Sequence, residues 1–227
     1  MKYWKIKERN IQFSEENLKI KITSKKFQED EKMDEIDFEK IEIKILSEKI
    51  DVNQFCCEIN DLNEFLKEDA IKQSKQMLNT TYTVIYNKKL IAFYTLSVDS
   101  IAAKNIPKNY KKFNEENIAY KSYPALKLGR LGVQQNNNNK GLGTFILKRV
   151  FKLGISLSKC VGLRFITIDA YMSSYRFYEK NHCEHAFNKE KVRNKLKEYE
   201  TLKSQNNKRA DDLTIPMFYD LARFNQI

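Results

Sequence analysis

The stretch LGRLGVQQNNNNKGLGTFILKRVF, residues 128–151, joins a run with strand character to a run with helical periodicity. Between them lie four asparagines and the pair Gly141 and Gly143, although the chain of 227 residues has only six glycines. Backbone N–H groups in the first turn of a helix have no partner within the helix, and they lie at the positive end of its dipole. A glycine-containing loop between a strand and a helix therefore predicts a binding site for phosphate groups.

The loop and the first helical turn would together form this phosphate cradle. Its candidate residues are Asn138, Asn139, Lys140, Gly141, Leu142, Gly143 and Thr144. The chain lacks the GxxxxGK[ST] loop of nucleoside triphosphatases, and it lacks a GxGxxG loop followed by an acidic ribose ligand, so neither class of nucleotide site is supported. A tight turn without a ligand is the alternative explanation for a lone GxG.

The composition favours one substantial domain with a surface that attracts polyanions. The 41 Lys and Arg residues against 30 Asp and Glu give a formal net charge of +11, which favours nucleic acid or nucleotide phosphates as partners. A compositional bias toward Lys, Asn and Ile is an alternative source of this charge. The sequence has no signal peptide and no apolar run of about 18 residues, so we expect a soluble, cytoplasmic protein without a membrane span.

The order of predicted elements is mixed α/β. Alternating and helical apolar patterns predict strands near 41–45, 81–87, 90–101, 125–133, 164–170, 184–188 and 213–221, and helices from 61, from 142 to about 159, and over 173–181. We therefore predict a sheet with helices packed against it. The predicted domain spans residues 39–227 and follows an N-terminal extension of unknown role, residues 1–38.

The cysteines give little support for a metal site. Four are present without CxxC spacing, which fits a reducing compartment. Cys183 lies close to His182 and His185, but a structural zinc site usually has four well-spaced ligands. We expect no metal.

Two motifs resemble those of the GCN5-related N-acetyltransferase (GNAT) superfamily. Its central motif is a strand ending in an apolar-small-Val step, then Q/R-x-x-G-x-G/A at a helix start; this chain has LGV at 131–133 and NNKGLG at 138–143. The FYEK at 177–180 is similar to the family's helix N-x-x-A-x-x-F-Y-E-K-x-G-F. Several positions depart from these patterns: Asn138 stands where Gln or Arg is usual, and Tyr171, Ser174, His182 and Cys183 replace the Asn, the Ala and the final Gly-Phe.

Three further motifs resemble one branch, the acetyltransferase toxins of bacterial toxin–antitoxin pairs, which acetylate the amine of aminoacyl-tRNA and so stop translation. FCCEINDLNEFL at 55–66 is similar to the branch's F-x-C-G…L-x-x-F/W-L opening, with Glu58 where Gly is usual. AFYTLS at 92–97 is similar to G-[FY]-Y-[ST]-L, and LGRLGV at 128–133 to L-G-R-L-A-V. Together the matches span residues 55–187.

The resemblance implies a GNAT fold, a central mixed sheet flanked by helices with a splayed strand pair at the acetyl-CoA site. It implies that acetyl-CoA is the co-substrate, that the backbone near Leu131, Gly132 and Val133 holds the acetyl carbonyl, and that the phosphate cradle and Ser174 contact the cofactor. Tyr178 would donate a proton to the CoA sulfur, a role that suits a phenol, with its usual pKa of about 10. A core tyrosine on an amphipathic helix is the alternative for Tyr178.

The acceptor is indicated less directly. A lysine amine, with a pKa of about 10.4, needs a base, whereas an α-amine near 7.7 is already partly neutral at pH 7. No histidine or carboxylate stands out as a base, which favours an α-amine such as that of an aminoacyl ester or a protein N-terminus. Candidate contacts to a tRNA are Arg130, a loop with Lys111 and Lys112, and the basic residues 189–209; a solvated surface is the alternative for each charge run.

Alternatives and partners follow from the same resemblance. The protein is predicted to be an N-acetyltransferase of aminoacyl-tRNA that acts as a toxin, with a small DNA-binding antitoxin as a partner. An N-acetyltransferase of protein or small-molecule amines and a non-catalytic binding module stay open, as does a homodimer.

Overall fold

A computed structural model describes residues 36–107, 120–138, 140–187 and 189–226. Three of the predicted site residues, Asn139, Lys111 and Lys112, lie outside the described residues, as does most of the predicted extension. Ile36 is buried in the main hydrophobic core. The packed core therefore includes a residue that lies before the predicted start of the domain at residue 39. The boundary after residue 38 stays a prediction.

The described residues form a seven-stranded sheet in the order β1-β2-β3-β4-β5-β7-β6. The strands are β1 (Glu42–Ile45), β2 (Thr80–Tyr86), β3 (Lys89–Ala102), β4 (Ser122–Val133), β5 (Phe165–Tyr171), β6 (Glu184–His185) and β7 (Thr214–Asp220). The pair β4–β5 is parallel and the other pairs are antiparallel. The predicted mixed α/β fold is therefore confirmed.

Helices connect these strands. They are α1 (Asn60–Glu64), a π-helical turn (Phe65–Asp69), α2 (Ala70–Lys75), α3 (Leu142–Ser158), α4 (Tyr175–Lys180), α5 (Lys189–Ser204) and α6 (Arg209–Asp212). No element was predicted for the basic stretch that contains α5. The sequence does contain a helical pattern here, because Val192, Leu196 and Tyr199 recur at helical spacing. In the structure these three side chains pack against the main core.

The two faces of the sheet carry separate hydrophobic clusters. Tyr94 belongs to the main core, which includes Ile146 and Val150 of α3. Phe93, its neighbour in β3, belongs to a second cluster with Phe65 and other residues of the α1–α2 segment. Since successive strand residues point to opposite faces, α3 packs on one face and the α1–α2 segment on the other.

The strands β4 and β5 diverge at their carboxyl ends. They pair only over Ala125–Leu128 and Phe165–Ile168. Beyond this, β4 continues to Val133 beside β3, while β5 continues to Tyr171 beside β7. This confirms the splayed strand pair that the GNAT resemblance implied.

A β-bulge in β4 lies where the divergence begins. Thr95 pairs with Arg130 and Leu96 with Leu128, so Gly129 is the extra residue. A Cβ at Gly129 would lie 2.9 Å from the Thr95 Oγ1. Because a bulge bends its strand and increases the local twist, we infer that Gly129 helps β4 turn away from β5.

The turn after α4 has a left-handed residue at His182, the position at which the GNAT motif has glycine. His182 has a φ of 64°, in the left-handed region that glycine favours. The N–H of His182 donates to the Glu179 carbonyl at 2.9 Å, and the N–H of Cys183 donates to the Tyr178 carbonyl at 3.0 Å. These two bonds form a Schellman motif, so the departure at His182 leaves the turn intact and adds backbone strain.

Replacing His182 by glycine should relieve that strain. We expect His182→Gly to raise the free energy of unfolding by about 0.5–1 kcal/mol, measured by urea denaturation. The matched control is Lys180→Gly, which places glycine on an exposed helical residue two positions earlier and should lower stability by up to about 1 kcal/mol. A His182→Gly protein no more stable than wild type would contradict the assignment of strain to this residue.

Candidate functional site

The start of α3 presents free backbone donors. Gly141 is the N-cap residue with a φ of 75°, and no side chain caps the helix. The bond from the Phe145 N–H to the Gly141 carbonyl, 3.0 Å long, opens the intrahelical ladder. The N–H groups of Leu142, Gly143 and Thr144 precede it and so have no partner within the helix. This is the arrangement that the phosphate cradle requires.

Gly143 has a packing role as well. A Cβ at this position would lie 2.8 Å from Cζ of Phe177, in α4, directly before Tyr178. The ring of Phe177 lies in edge contact with that of Tyr178, with centroids 5.0 Å apart. Gly143 therefore leaves room for the Phe177 ring, which in turn packs against Tyr178.

The loop before α3 is tied to the loop before α1. Gln134 Oε1 accepts a hydrogen bond of 2.8 Å from the Cys56 N–H, and the Gln135 N–H donates to the Cys56 carbonyl at 3.0 Å. Asn138 donates from Nδ2 to Oε1 of Glu58 at 2.7 Å. Two residues that depart from the family motifs thus contact each other and join the two loops.

Tyr178 lies in α4, on the main-core side, and is only 7% exposed. Burial, and to a smaller extent the neighbouring Cys183 and Tyr171, raises the pKa of Tyr178 above its usual value. Its phenol therefore stays protonated at neutral pH. Ser174, another predicted cofactor contact, is the residue immediately before α4 and makes no capping bond with its side chain.

A cleft of about 340 Å³ opens on the sheet. We call it the sheet cleft; its polar lining includes Asp61, Lys127, Arg130, Asp169 and Tyr171. The Tyr171 hydroxyl donates a hydrogen bond of 2.7 Å to Oδ2 of Asp61. Burial, followed by this hydrogen bond, raises the pKa of Tyr171, so the phenol remains a donor. Lys127 forms an ion pair with Asp169 at 2.5 Å.

Arg130, a predicted substrate contact, lies in the sheet cleft beside the bulge. Its guanidinium carbon is 3.9 Å from the centroid of the Phe65 ring. Its Nε is buried and has no hydrogen-bond partner in the described part of the chain. The side chain therefore brings a positive charge to the lining of the sheet cleft.

The sequence analysis missed Asp61 and Tyr171. Asp61 was interpreted as an acid in the first turn of a helix, and Tyr171 as a substitution for the motif's Asn. Their contact joins positions 110 residues apart, and nothing in either local pattern indicates that pairing.

Three other features of the described residues do not contribute to this site. A cavity of about 450 Å³ lies between α5 and α6, and its lining includes neither Tyr178 nor the α3 start. In the described ranges, no group of three or more His, Cys, Asp or Glu is placed to hold a metal ion. No helix among the described residues is long and apolar enough to cross a membrane.

Comparisons with known proteins indicate the same class as the geometry. No family model matches the chain. The fold, however, is similar to that of a solved structure: a crystal structure of a Tyr-to-Phe mutant of KacT matches with a TM-score of 0.65 at 19% identity, over 82% of this chain and 98% of that one. The described residues therefore have a fold similar to that of KacT.

The names of two further similar proteins state an activity or a bound ligand. A tRNA-acetylating toxin of Mycobacterium tuberculosis (strain ATCC 25618 / H37Rv) is 22% identical over 133 residues, which cover 59% of this chain and 77% of the relative. AtaT complexed with acetyl-methionyl-tRNAfMet matches with a TM-score of 0.64 at 18% identity, over 82% of this chain and 98% of that one. AtaT has also been solved with acetyl-CoA and the C-terminus of the antitoxin AtaR. The predicted resemblance to toxin acetyltransferases is confirmed.

The packing at Gly143 can be tested by filling it. Gly143→Ala should lower the free energy of unfolding by about 1–3 kcal/mol, because the new methyl group would force the Phe177 ring to move. Combining it with Phe177→Leu should recover part of this loss. The matched control is Gly162→Ala, since nothing lies within 4 Å of a Cβ at that position. Equal stabilities of the Gly143→Ala and Gly162→Ala proteins would contradict the assigned contact.

Proposed function

We propose that this protein is an acetyl-CoA-dependent N-acetyltransferase that acetylates the α-amine of aminoacyl-tRNA and thereby inhibits translation, as a toxin. The observation that carries the proposal is that the splay between β4 and β5 and the uncapped start of α3 are joined by one short loop, residues 134–141. A thioester in the splay and a pyrophosphate at the helix start would then belong to one extended ligand. The known relatives support this interpretation by their names and ligands.

The residues present fit acetyl-CoA. The free N–H groups of Leu142, Gly143 and Thr144 would bind the pyrophosphate, with Lys140 adding positive charge beside them. The Leu131–Val133 segment of β4 has no β5 partner, so its outward N–H groups are available to hold the thioester carbonyl. Acetyl-CoA supplies the acetyl group as a thioester, an activated acyl donor.

The transfer needs a proton donor for the sulfur and a route out for the amine protons. The amine nitrogen forms a bond to the carbonyl carbon as the carbon–sulfur bond breaks. The ammonium must first lose one proton to solvent, because only the neutral amine has a lone pair that can attack. Tyr178 would then give its proton to the departing sulfur and regain one from the nitrogen as the amide forms. A raised pKa suits Tyr178 to this role, because it keeps the phenol protonated until negative charge develops on the sulfur.

A tRNA acceptor gives the positive charge a function. Phosphate contacts supply most of the affinity of proteins for nucleic acid, and the formal net charge is +11. The helix α5 has no buried residue and exposes basic side chains such as Lys189, Arg193 and Lys197. We propose α5 and Arg130 as tRNA contacts, with Lys111 and Lys112 as further candidates.

The proposal also includes a partner and a location. An antitoxin would restrain the activity, as AtaR and AtaT occur together in a solved structure. A substrate used in translation would place the protein in the cytoplasm. The cofactor contacts at Asn138, Asn139 and Ser174 belong to the same proposal.

The proposed reaction can be tested directly. Incubation with charged tRNA and radiolabelled acetyl-CoA should yield label that co-migrates with RNA and is lost on deacylation. Tyr178→Phe should lower kcat by at least about 100-fold, the size of a typical general-acid contribution, with acetyl-CoA binding nearly unchanged in calorimetry.

The matched control is Tyr120→Phe, which removes the hydroxyl of an exposed tyrosine and should leave kcat unchanged. Label on peptide or polyamine instead of RNA would redirect the proposal to a different acceptor. No transfer to any charged tRNA would refute it.

A further inference from the structure

The sheet cleft holds two charged groups without an ion-pair partner in the described part of the chain. Lys127 and Asp169 neutralise each other. The Asp61 carboxylate is bound instead by the neutral Tyr171 hydroxyl, and the Arg130 guanidinium lies against the Phe65 ring. The negative charge of Asp61 and the positive charge of Arg130 thus lie in one cleft, each beside a neutral group. Both are available to a ligand that carries a positive and a negative group.

Asp61 is held in a defined position. Its partner Tyr171 is the last residue of β5, where it pairs with Thr214 of β7 and packs against the second hydrophobic cluster. The phenol is a fixed donor, because burial and the bond to Asp61 raise its pKa. One oxygen of the carboxylate thereby accepts a hydrogen bond, while Asp61 as a residue is exposed and lines the sheet cleft.

Asp61 and Tyr178 approach the splay from opposite faces of the sheet. Tyr178 belongs to the main core, on the side of α3, whereas Tyr171 packs on the side of the α1–α2 segment. The sheet cleft is lined by Gly129 and Arg130 of β4 and by Asp169 and Tyr171 of β5, which lie beyond the last β4–β5 pair, so the cleft opens at the splay. A group bound by Asp61 would therefore lie at the splay, on the face of the sheet opposite the proposed proton donor.

We propose that Asp61 binds the protonated amine of the acceptor and that Tyr171 is the positioning residue that orients its carboxylate. The ligand class is a primary ammonium attached to a carbonyl or phosphate-bearing group, which Arg130 contacts beside it. This inference rests on the proposed acetyl transfer to an amine. It supplies the amine-binding residue that the sequence did not identify.

The test compares binding of two probes to protein saturated with CoA. The first probe is adenosine carrying an alanyl group on a 3′-amide, with a free α-amine; the second has a hydroxyl in place of that amine. At pH 6.5 wild-type protein should bind the amine probe at least about 10-fold more tightly, since a charge-assisted hydrogen bond discriminates by this order. The preference should decline toward pH 9, because an α-amine has a pKa near 7.7.

Two variants and one control isolate the carboxylate. Asp61→Asn keeps an oxygen that can accept from the Tyr171 hydroxyl, so the fold should be retained while the preference for the amine disappears. Tyr171→Phe should reduce the preference without abolishing it. Asp69→Asn changes an exposed carboxylate in the same segment, 3.8 Å from Lys72, and should leave the preference unchanged.

The outcomes separate this inference from the proposed function. Equal binding of the two probes by wild type, no binding of either, or a preference that survives in Asp61→Asn would overturn the role of Asp61, even if charged tRNA is acetylated. Conversely, loss of the preference in Asp61→Asn alone would support an amine site even if charged tRNA receives no label. In that case the aminoacyl-tRNA proposal would fail while the role of Asp61 stands.

Discussion

The parallel pairing of β4 with β5 stops after Leu128 and Ile168, and the proposed chemistry depends on this interruption. A fully paired sheet would satisfy every backbone group between the two strands and leave no room for a ligand. The bulge at Gly129 bends β4 where pairing ends. The freed segment, residues 129–133, then leads directly into the loop and the uncapped start of α3.

Departures from the family motifs are accommodated by specific contacts. Asn138 and Glu58 each replace the residue that is usual in the motif, and they form a hydrogen bond of 2.7 Å with each other. The two departures thus together provide a contact that holds the loop. His182 adopts the left-handed backbone expected of glycine. These substitutions change the side chains while keeping the backbone path on which the cradle and the position of Tyr178 depend.

The sequence predicted what depends on local pattern. The strand β4 and the helix α3 were predicted from apolar periodicity, and the splay was implied by the resemblance to the GNAT superfamily; the structure agrees with all three. The α1–α2 segment was predicted as a single helix. The helix α5 was not predicted, because the stretch was interpreted from its basic charge alone, although Val192, Leu196 and Tyr199 recur at helical spacing. The Asp61–Tyr171 contact could not be predicted, since it depends on how the chain folds across 110 residues, and the two motifs that contain these positions do not indicate that they meet.

A crystal structure with bound acetyl-CoA would test the central claim most directly. The account predicts that pyrophosphate oxygens accept hydrogen bonds from the N–H groups of residues 142–144, and that the thioester lies between β4 and β5 with its sulfur near the Tyr178 hydroxyl. A cofactor bound in the cavity between α5 and α6, or one that leaves the start of α3 empty, would contradict it.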